Sequence, residues 1–125
     1  MDGYRVTIVE TSKELTAKER IALKDTSNAK RLDELCKPDT PFVFAPALYA
    51  KIHVINPNSE DKEYDQFLFV DADGTKYMTG SSSFFDTFIA IWDEMKDEEE
   101  EWAIEVTKHP SNKYKGKYFI TASIV

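Results

Sequence analysis

The sequence is poor in the residues that build most active sites and cross-links. Its 125 residues include one cysteine, Cys36, two histidines and four isolated glycines. A single cysteine excludes an internal disulfide and any zinc site built from several cysteines. Isolated glycines and widely separated histidines leave neither a glycine-rich phosphate loop nor a metal-binding motif. We therefore expect no enzyme, no catalytic residue, no metal and no cofactor.

Long apolar runs are also missing from the chain. No stretch approaches the roughly 20 apolar residues that span a bilayer, so we expect no membrane protein. The first residues alternate in polarity and do not resemble a signal peptide. Hydrophobic residues make up 42% and charged residues 31% of the sequence, which are ordinary values for a globular domain. These features predict one domain over 1–125 in a reducing, cytoplasmic compartment.

The charge is negative overall but unevenly distributed. Lysine and arginine number 16 against 23 acids, a net charge of −7, which argues against a simple basic nucleic-acid binder. Residues 93–101 hold seven acids and one lysine, whereas residues 102–125 hold four lysines and one acid. The net charge therefore conceals a basic C-terminal segment behind an acidic run, whose residues 97–101 we expect to form a solvated loop.

Patterns of polarity predict the order of the secondary structure. An alternating strand is expected at 4–9, and a capping box at Thr16–Glu19 predicts a short helix over 17–24. A further helical turn is expected to end near Leu35, before two prolines break the chain. Beyond residue 45 the predicted order is three strands, one helix capped by Ser81, Ser82 or Ser83, and two strands, at 47–55, 64–70, 75–79, 82–96, 102–108 and 117–125.

This order predicts a mainly β protein with the connectivity of an OB-fold, a five-stranded Greek-key barrel with one helix between its third and fourth strands. Residues 42–125 would form the barrel core, with the helix at about 82–96, and residues 1–41 an N-terminal strand and helical extension. A helix on an open antiparallel sheet is the main alternative. A ferredoxin-like unit requires a βαββαβ order, which the two tight hairpins do not supply.

The hairpin between the last two strands is the most informative segment for function. It mixes cations with aromatic rings, namely His109, Lys113, Tyr114, Lys115, Lys117 and Tyr118. Single-stranded nucleic acid is bound by this chemistry, because lysines follow the backbone while aromatic faces stack on bases. The loop between strands four and five of an OB-fold also contacts nucleic acid. A polar hairpin whose lysines only protect a sheet edge fits the composition equally well.

A second candidate surface lies on the first barrel strand. Tyr49, Lys51 and His53 share one face of that strand, opposite Ala50, Ile52 and Val54. This polar and aromatic face is either a stacking platform for bases or simply solvated sheet. The aromatic stripe of the helix and Trp102 are instead expected in the core.

Two motifs resemble a known family. The pattern K-Y-x-T-G-S-x-S-F at 76–84 and the pattern P-S-x-x-Y-K-G-K-x-F-I-T at 110–121 are similar to those of bacteriophage-type single-stranded-DNA-binding proteins. The resemblance implies an OB-fold that protects replication or recombination intermediates without sequence preference. It also suggests a homodimer and contacts with replication or recombination proteins, in the cytoplasm of a bacterial host.

Carried over by position, the resemblance implies DNA contacts at Lys113, Tyr114, Lys115 and Lys117, with weaker candidates at Lys76 and Tyr77 on the third strand. In one respect the chain departs from bacterial single-stranded-DNA-binding proteins. Those proteins end in a flexible acidic tail that recruits partners, whereas this chain ends in a predicted strand. The internal acidic run at 98–101 cannot simply take over that role.

Two functions follow from these features. The first is sequence-independent binding of single-stranded DNA through lysine–phosphate contacts and base stacking. The second is an acidic OB-like module that binds or inhibits a protein partner and has no affinity for nucleic acid. The net charge of −7 suits the second function.

Overall fold

The computed structural model describes residues 5–58 and 62–125 and shows a mainly β protein, as predicted. Residues 1–4, where the first strand was predicted to begin, and 59–61 lie outside the described residues. The elements in chain order are β1 (Arg5–Thr11), α1 (Ala17–Lys24), β2 (Lys30–Arg31), α2 (Leu32–Leu35), β3 (Phe42–Phe44), β4 (Pro46–Ile55), β5 (Glu63–Asp71), β6 (Lys76–Thr79), α3 (Ser82–Met95), β7 (Ile104–Pro110) and β8 (Tyr118–Ile124).

The strands form two separate sheets. The larger has the order β1-β4-β5-β6-β2, with β2 parallel to β6 and the other pairs antiparallel. The smaller is an antiparallel sheet of order β3-β7-β8. In the described residues neither sheet closes on itself, so the predicted five-stranded barrel is not confirmed. The reason lies in pairing, because β7 and β8 join β3 and do not return to the larger sheet.

Both faces of the larger sheet are buried at its centre. In the register of β4, β5 and β6, Tyr49, Phe69 and Tyr77 lie side by side on one face. Ala50 and Leu68 lie on the opposite face. Alternation along each strand sends successive side chains to opposite faces, and here both faces carry apolar residues. The sheet therefore has a separate layer packed against each side.

The main core lies between the larger sheet, the smaller sheet and α3. Ser81 caps the helix, since its Oγ accepts a hydrogen bond from the Phe84 backbone N–H at 3.2 Å. The helix then buries Phe84, Phe85 and Phe88 at helical spacing. The ring centroids of Phe69 and Phe88 are 4.6 Å apart, in an edge-to-face arrangement that favours aromatic packing. The predicted helix and its serine cap are both confirmed.

The second core lies under α1 on the other face of the larger sheet. Thr16 and Glu19 form the predicted capping box, with the Glu19 N–H donating to Thr16 Oγ1 at 3.2 Å and the Thr16 N–H donating to Glu19 Oε1 at 2.9 Å. The helix that follows this cap buries Leu23, near its C-terminal end, against the sheet. Its neighbours there include Leu48, Ile52 and Leu68.

The N-terminal segment is part of the sheet and not an extension of it. β1 and β2 form the two edges of the larger sheet, and β3 forms one edge of the smaller. The helical turn predicted to end near Leu35 is present as α2, and Lys30 and Arg31 before it extend to pair with Tyr77 and Met78 on β6. Residues 5–44 therefore complete both sheets.

Candidate nucleic-acid interface

The β7–β8 hairpin holds its connecting loop, residues 111–117, in a defined conformation. Ser111 Oγ accepts hydrogen bonds from the backbone N–H groups of Lys113 and Tyr114, at 3.3 and 3.1 Å. The Lys117 N–H donates to the Tyr114 carbonyl at 3.1 Å, and Gly116 between them has a φ of +80°. Glycine adopts that conformation without a steric penalty. The loop sequence therefore fixes a compact tip that presents its side chains outward.

Four predicted contact residues meet at this hairpin tip: Lys113, Tyr114, Lys115 and Lys117. All four are exposed, and 59% of the surface of Tyr114 is accessible. The Lys113 Nζ lies 5.4 Å from the centroid of the Tyr114 ring. Within the described residues, 5–58 and 62–125, none of the three lysines forms an ion pair. The tip thus offers three unneutralised cations around one accessible aromatic face, which suits an anionic polymer that carries stacking bases.

Two further exposed rings follow the tip on β8, of which Tyr118 was named with the candidate hairpin and Phe119 was not. Tyr118 is 54% exposed and Phe119 is 47% exposed. As neighbours on a strand they point to opposite faces of the smaller sheet. Ile120 and Ala122 are buried. The alternation of this strand in the sequence would therefore have predicted that Phe119 points outward.

β7 is fastened to α2 and to the residue that follows it. Lys108 Nζ donates to the Asp33 carbonyl at 2.6 Å and lies 5.6 Å from the centroid of the Tyr118 ring. The buried Cys36 thiol donates to the Val106 carbonyl at 3.1 Å. These contacts hold β7 in place, so the tip projects from a rigid support.

Tyr49 is placed differently from the prediction. It is buried, with 9% of its surface exposed, and its ring makes edge-to-face contacts with Phe85, Phe88 and Trp92 at centroid distances of 5.4 to 5.7 Å. Burial raises the pKa of its phenol. α3 covers this end of the strand face, so in this structure Tyr49 offers no ring face to a base and is neither a stacking platform nor solvated sheet.

Tyr77 is also buried on the larger sheet. Its ring lies 5.3 Å from the rings of both Phe42 and Phe44, between centroids, and the residue is 8% exposed. β3 supplies these two phenylalanines, and β3 was not predicted. The Tyr77 ring is therefore part of the main core and is closed to bases in this structure.

The two lysines predicted on the larger sheet have local partners. Lys76 Nζ donates to the carbonyls of Ala22 and Asp25, the second at 2.8 Å, and so holds the C-terminal end of α1. Burial lowers the pKa of this ammonium group. Lys51 is half-buried, with its Nζ 4.0 Å from Asp65 Oδ2. Neither lysine belongs to the sheet that carries the hairpin.

His53, beyond Lys51 on the same face, lies between two carboxylates. Its Nδ1 is 2.9 Å from Asp65 Oδ1, and its Nε2 is 3.0 Å from Glu63 Oε1. Hydrogen bonds to these carboxylates raise the pKa of the imidazole. The outer part of this face is thus an ionic cluster that ties β4 to β5.

The acidic run lies at the far end of the β7–β8 hairpin from the lysines. Residues 97–101 are all exposed, as the prediction of a solvated loop required. They precede β7, while the lysines follow it, so the length of one strand separates the two charge clusters. Seven residues at about 3.3 Å each put that separation near 20 Å. The exposed lysines and the exposed acids therefore lie at opposite ends of the hairpin.

The chain matches no protein-family model, no curated protein and no solved structure. Over the described ranges no helix has the length and apolar character needed to cross a membrane. In the same part of the chain, no three histidine, cysteine or acidic side chains cluster in a way that would hold a metal ion.

Proposed function

We propose that this protein binds single-stranded DNA without sequence preference, through the hairpin tip formed by Lys113, Tyr114, Lys115 and Lys117. The observation that carries the proposal is the exposure of three unpaired lysines around the accessible Tyr114 ring. Lysines would follow the phosphates, and the ring would stack on a base. The family resemblance of the two motifs supports a role in phage replication or recombination, in the cytoplasm of a bacterial host.

An OB-like architecture is part of the same proposal. Beyond residue 45 the order of β4, β5, β6, α3, β7 and β8 is that of the OB-fold. In such a fold the hairpin would take the place of the loop that contacts nucleic acid. Compared with a closed OB barrel, β7 and β8 of this protein would pair with β3 and not with the larger sheet, so both sheets stay open.

The test is a fluorescence-anisotropy titration with labelled oligo-dT of about 30 nucleotides, long enough to cover one or more sites of this class. We expect single strands to bind far better than duplex of equal length, and binding to weaken with salt. The Lys113→Ala/Lys115→Ala variant should bind more weakly. The slope of log K against log salt should become less negative by about 1.4, because each lost phosphate contact on a single strand removes roughly 0.7 from the slope.

The matched control removes two exposed lysines from α1, Lys18→Ala/Lys24→Ala, which changes the net charge equally. This control should keep both the affinity and the salt slope of the wild type. Equal losses in both variants would show that overall charge, and not the hairpin, governs binding. No binding by the wild type at low salt would overturn the proposed function.

A protein-interaction or inhibitor module is the second candidate, and a different surface favours it. The acidic run borders a groove of about 670 Å³ lined by Ala45, Glu99, Glu100, Glu101, Trp102, Ala103 and Val125. An acidic rim beside an indole ring suits a basic peptide. This candidate predicts that the wild type retains a protein partner in a pull-down while failing to bind oligo-dT at low salt.

A further inference from the structure

The hairpin has two faces, and only one of them is open beyond the tip. On the α2 side, Lys108 covers one side of the Tyr118 ring and is itself bonded to the Asp33 carbonyl. α2 lies against this side of the hairpin, and its Asp33 carboxylate accepts a hydrogen bond from Thr79 Oγ1 on β6 at 2.8 Å. A phosphate backbone continuing in that direction would meet α2, which carries two acidic residues, and a lysine whose Nζ is already hydrogen-bonded, which disfavours it.

The opposite side, here called the outer face, carries Phe119 and Thr121 on β8 and Lys117 in the loop just before it. Ile120 and Ala122 are buried, so the alternate residues of this strand point away from the core. The ladder extends one step beyond the strands, because the Ser111 N–H donates to the Lys117 carbonyl at 2.9 Å. By strand alternation, Lys117 therefore precedes Phe119 on the same face.

Phe119 has a ring partner across the strand pair. It lies opposite His109 in the register, with ring centroids 5.4 Å apart and planes inclined by 31°. His109 Nε2 lies 3.3 Å from Thr121 Oγ1, a contact that holds the imidazole in position. The two rings form a platform next to the hairpin tip, with 47% of Phe119 exposed.

We propose that a bound single strand continues from the hairpin tip onto the outer face and stacks a base on Phe119, with Lys117 holding the adjoining phosphate. Glu105, opposite Ser123 in the register, marks the end of this track because its carboxylate repels phosphate. The inference rests on the proposed function and adds a second stacking site, next to the first at Tyr114. An aromatic ring is sequence-tolerant in this role, since every base has a stacking face.

The test compares Phe119→Ala and Phe119→Leu with the wild type on the same labelled oligo-dT. Both variants should bind about 5- to 150-fold more weakly, the range found when a base-stacking ring is replaced by alanine. Leucine keeps apolar bulk but has no ring, so wild-type affinity in Phe119→Leu would overturn stacking. Val43→Ala is the control, since Val43 is 50% exposed on the same sheet, opposite Glu105, and should leave affinity unchanged.

Two further readouts separate this inference from the proposed function. Photocross-linking to an oligonucleotide containing iodouracil should yield a cross-linked peptide that contains Phe119. If the wild type binds but Phe119→Ala binds equally well, the outer face is not part of the track and the hairpin tip alone remains. If Phe119→Ala instead changes the molar mass of the DNA-free protein in analytical ultracentrifugation, the outer face is an interface between copies of the chain and the inference is wrong.

Discussion

Tyr49 and Tyr114 carry the same side chain in opposite environments. Tyr49 is enclosed by three aromatic side chains from α3, whereas Tyr114 projects from the hairpin tip with 59% of its surface exposed. A phenol ring serves both places because it is large and apolar yet carries a polar end. What a tyrosine does here depends on which element covers its strand or loop.

The burial of Tyr49 predicts a stability effect and no binding effect. Tyr49→Ala should lower the free energy of unfolding by about 3 kcal/mol or more, the usual cost of removing a buried aromatic ring. The affinity of the folded fraction for oligo-dT should stay at the wild-type value. Urea denaturation followed by tryptophan fluorescence measures the first quantity, and anisotropy measures the second.

Tyr49→Phe is the companion variant, because it keeps the ring and should cost less than about 1.5 kcal/mol. A Tyr49→Ala protein of normal stability but weakened DNA binding would show that the ring faces the ligand after all.

At the scale of elements, the parts with local causes were predictable. The caps at Thr16 and Ser81 lie within three residues of their partners, and the alternation of β4 runs over ten residues. β2 and β3 contain two and three residues, too few for any periodicity to appear. Their existence depends on strands far along the chain, which a pattern within one segment cannot reveal.

The candidate site divides in the same way. The hairpin tip was predictable because its lysines, its tyrosine and its turn residues are neighbours in sequence. The alternation of β4 correctly placed Tyr49 with Lys51 and His53 on one face. That α3 covers Tyr49 and that β3 covers Tyr77 are facts of tertiary packing, so composition alone left both rings as candidates.

The pairing of β4 with β5 should depend on pH through His53. Both ring nitrogens of His53 face carboxylates, and only the protonated imidazole can donate from both. Its pKa is raised in the folded state, so its stabilisation is fully present below the ordinary value near 6.5. The stabilisation is lost as the pH rises through the raised pKa.

The comparison of the wild type with His53→Gln isolates this effect. The wild type should be the more stable protein at pH 5.5 to 6, by urea denaturation, with the difference shrinking steadily above neutrality. A stability difference that stays constant across this range would mean that His53 contributes by packing and not by its charge.

At the scale of the whole molecule, the two ends of the β7–β8 hairpin carry opposite charge about 20 Å apart. The Debye length is about 8 Å at 0.15 M salt and about 30 Å at 0.01 M. Changing all of Glu98–Glu101 to glutamine should therefore leave DNA affinity within about twofold at 0.15 M salt. At 0.01 M the same variant should bind more tightly than the wild type, because repulsion of phosphate is relieved.

Anisotropy titrations at the two salt concentrations make this comparison directly. If the glutamine variant loses affinity at 0.15 M, the acidic segment takes part in binding and the division of the molecule into a DNA end and a distant acidic end is wrong.

The strand pairing also has a consequence for how the chain reaches its native state. Each of the three strands in residues 5–44 pairs with a strand made much later, β1 with β4, β2 with β6 and β3 with β7. Closing such long loops costs entropy before any contact repays it, which slows folding. During synthesis on the ribosome, the strands in the first third of the chain would stay unpaired until β4, β6 and β7 have emerged. The C-terminal hairpin that we propose as the DNA-binding element is then also the last piece required to complete the smaller sheet.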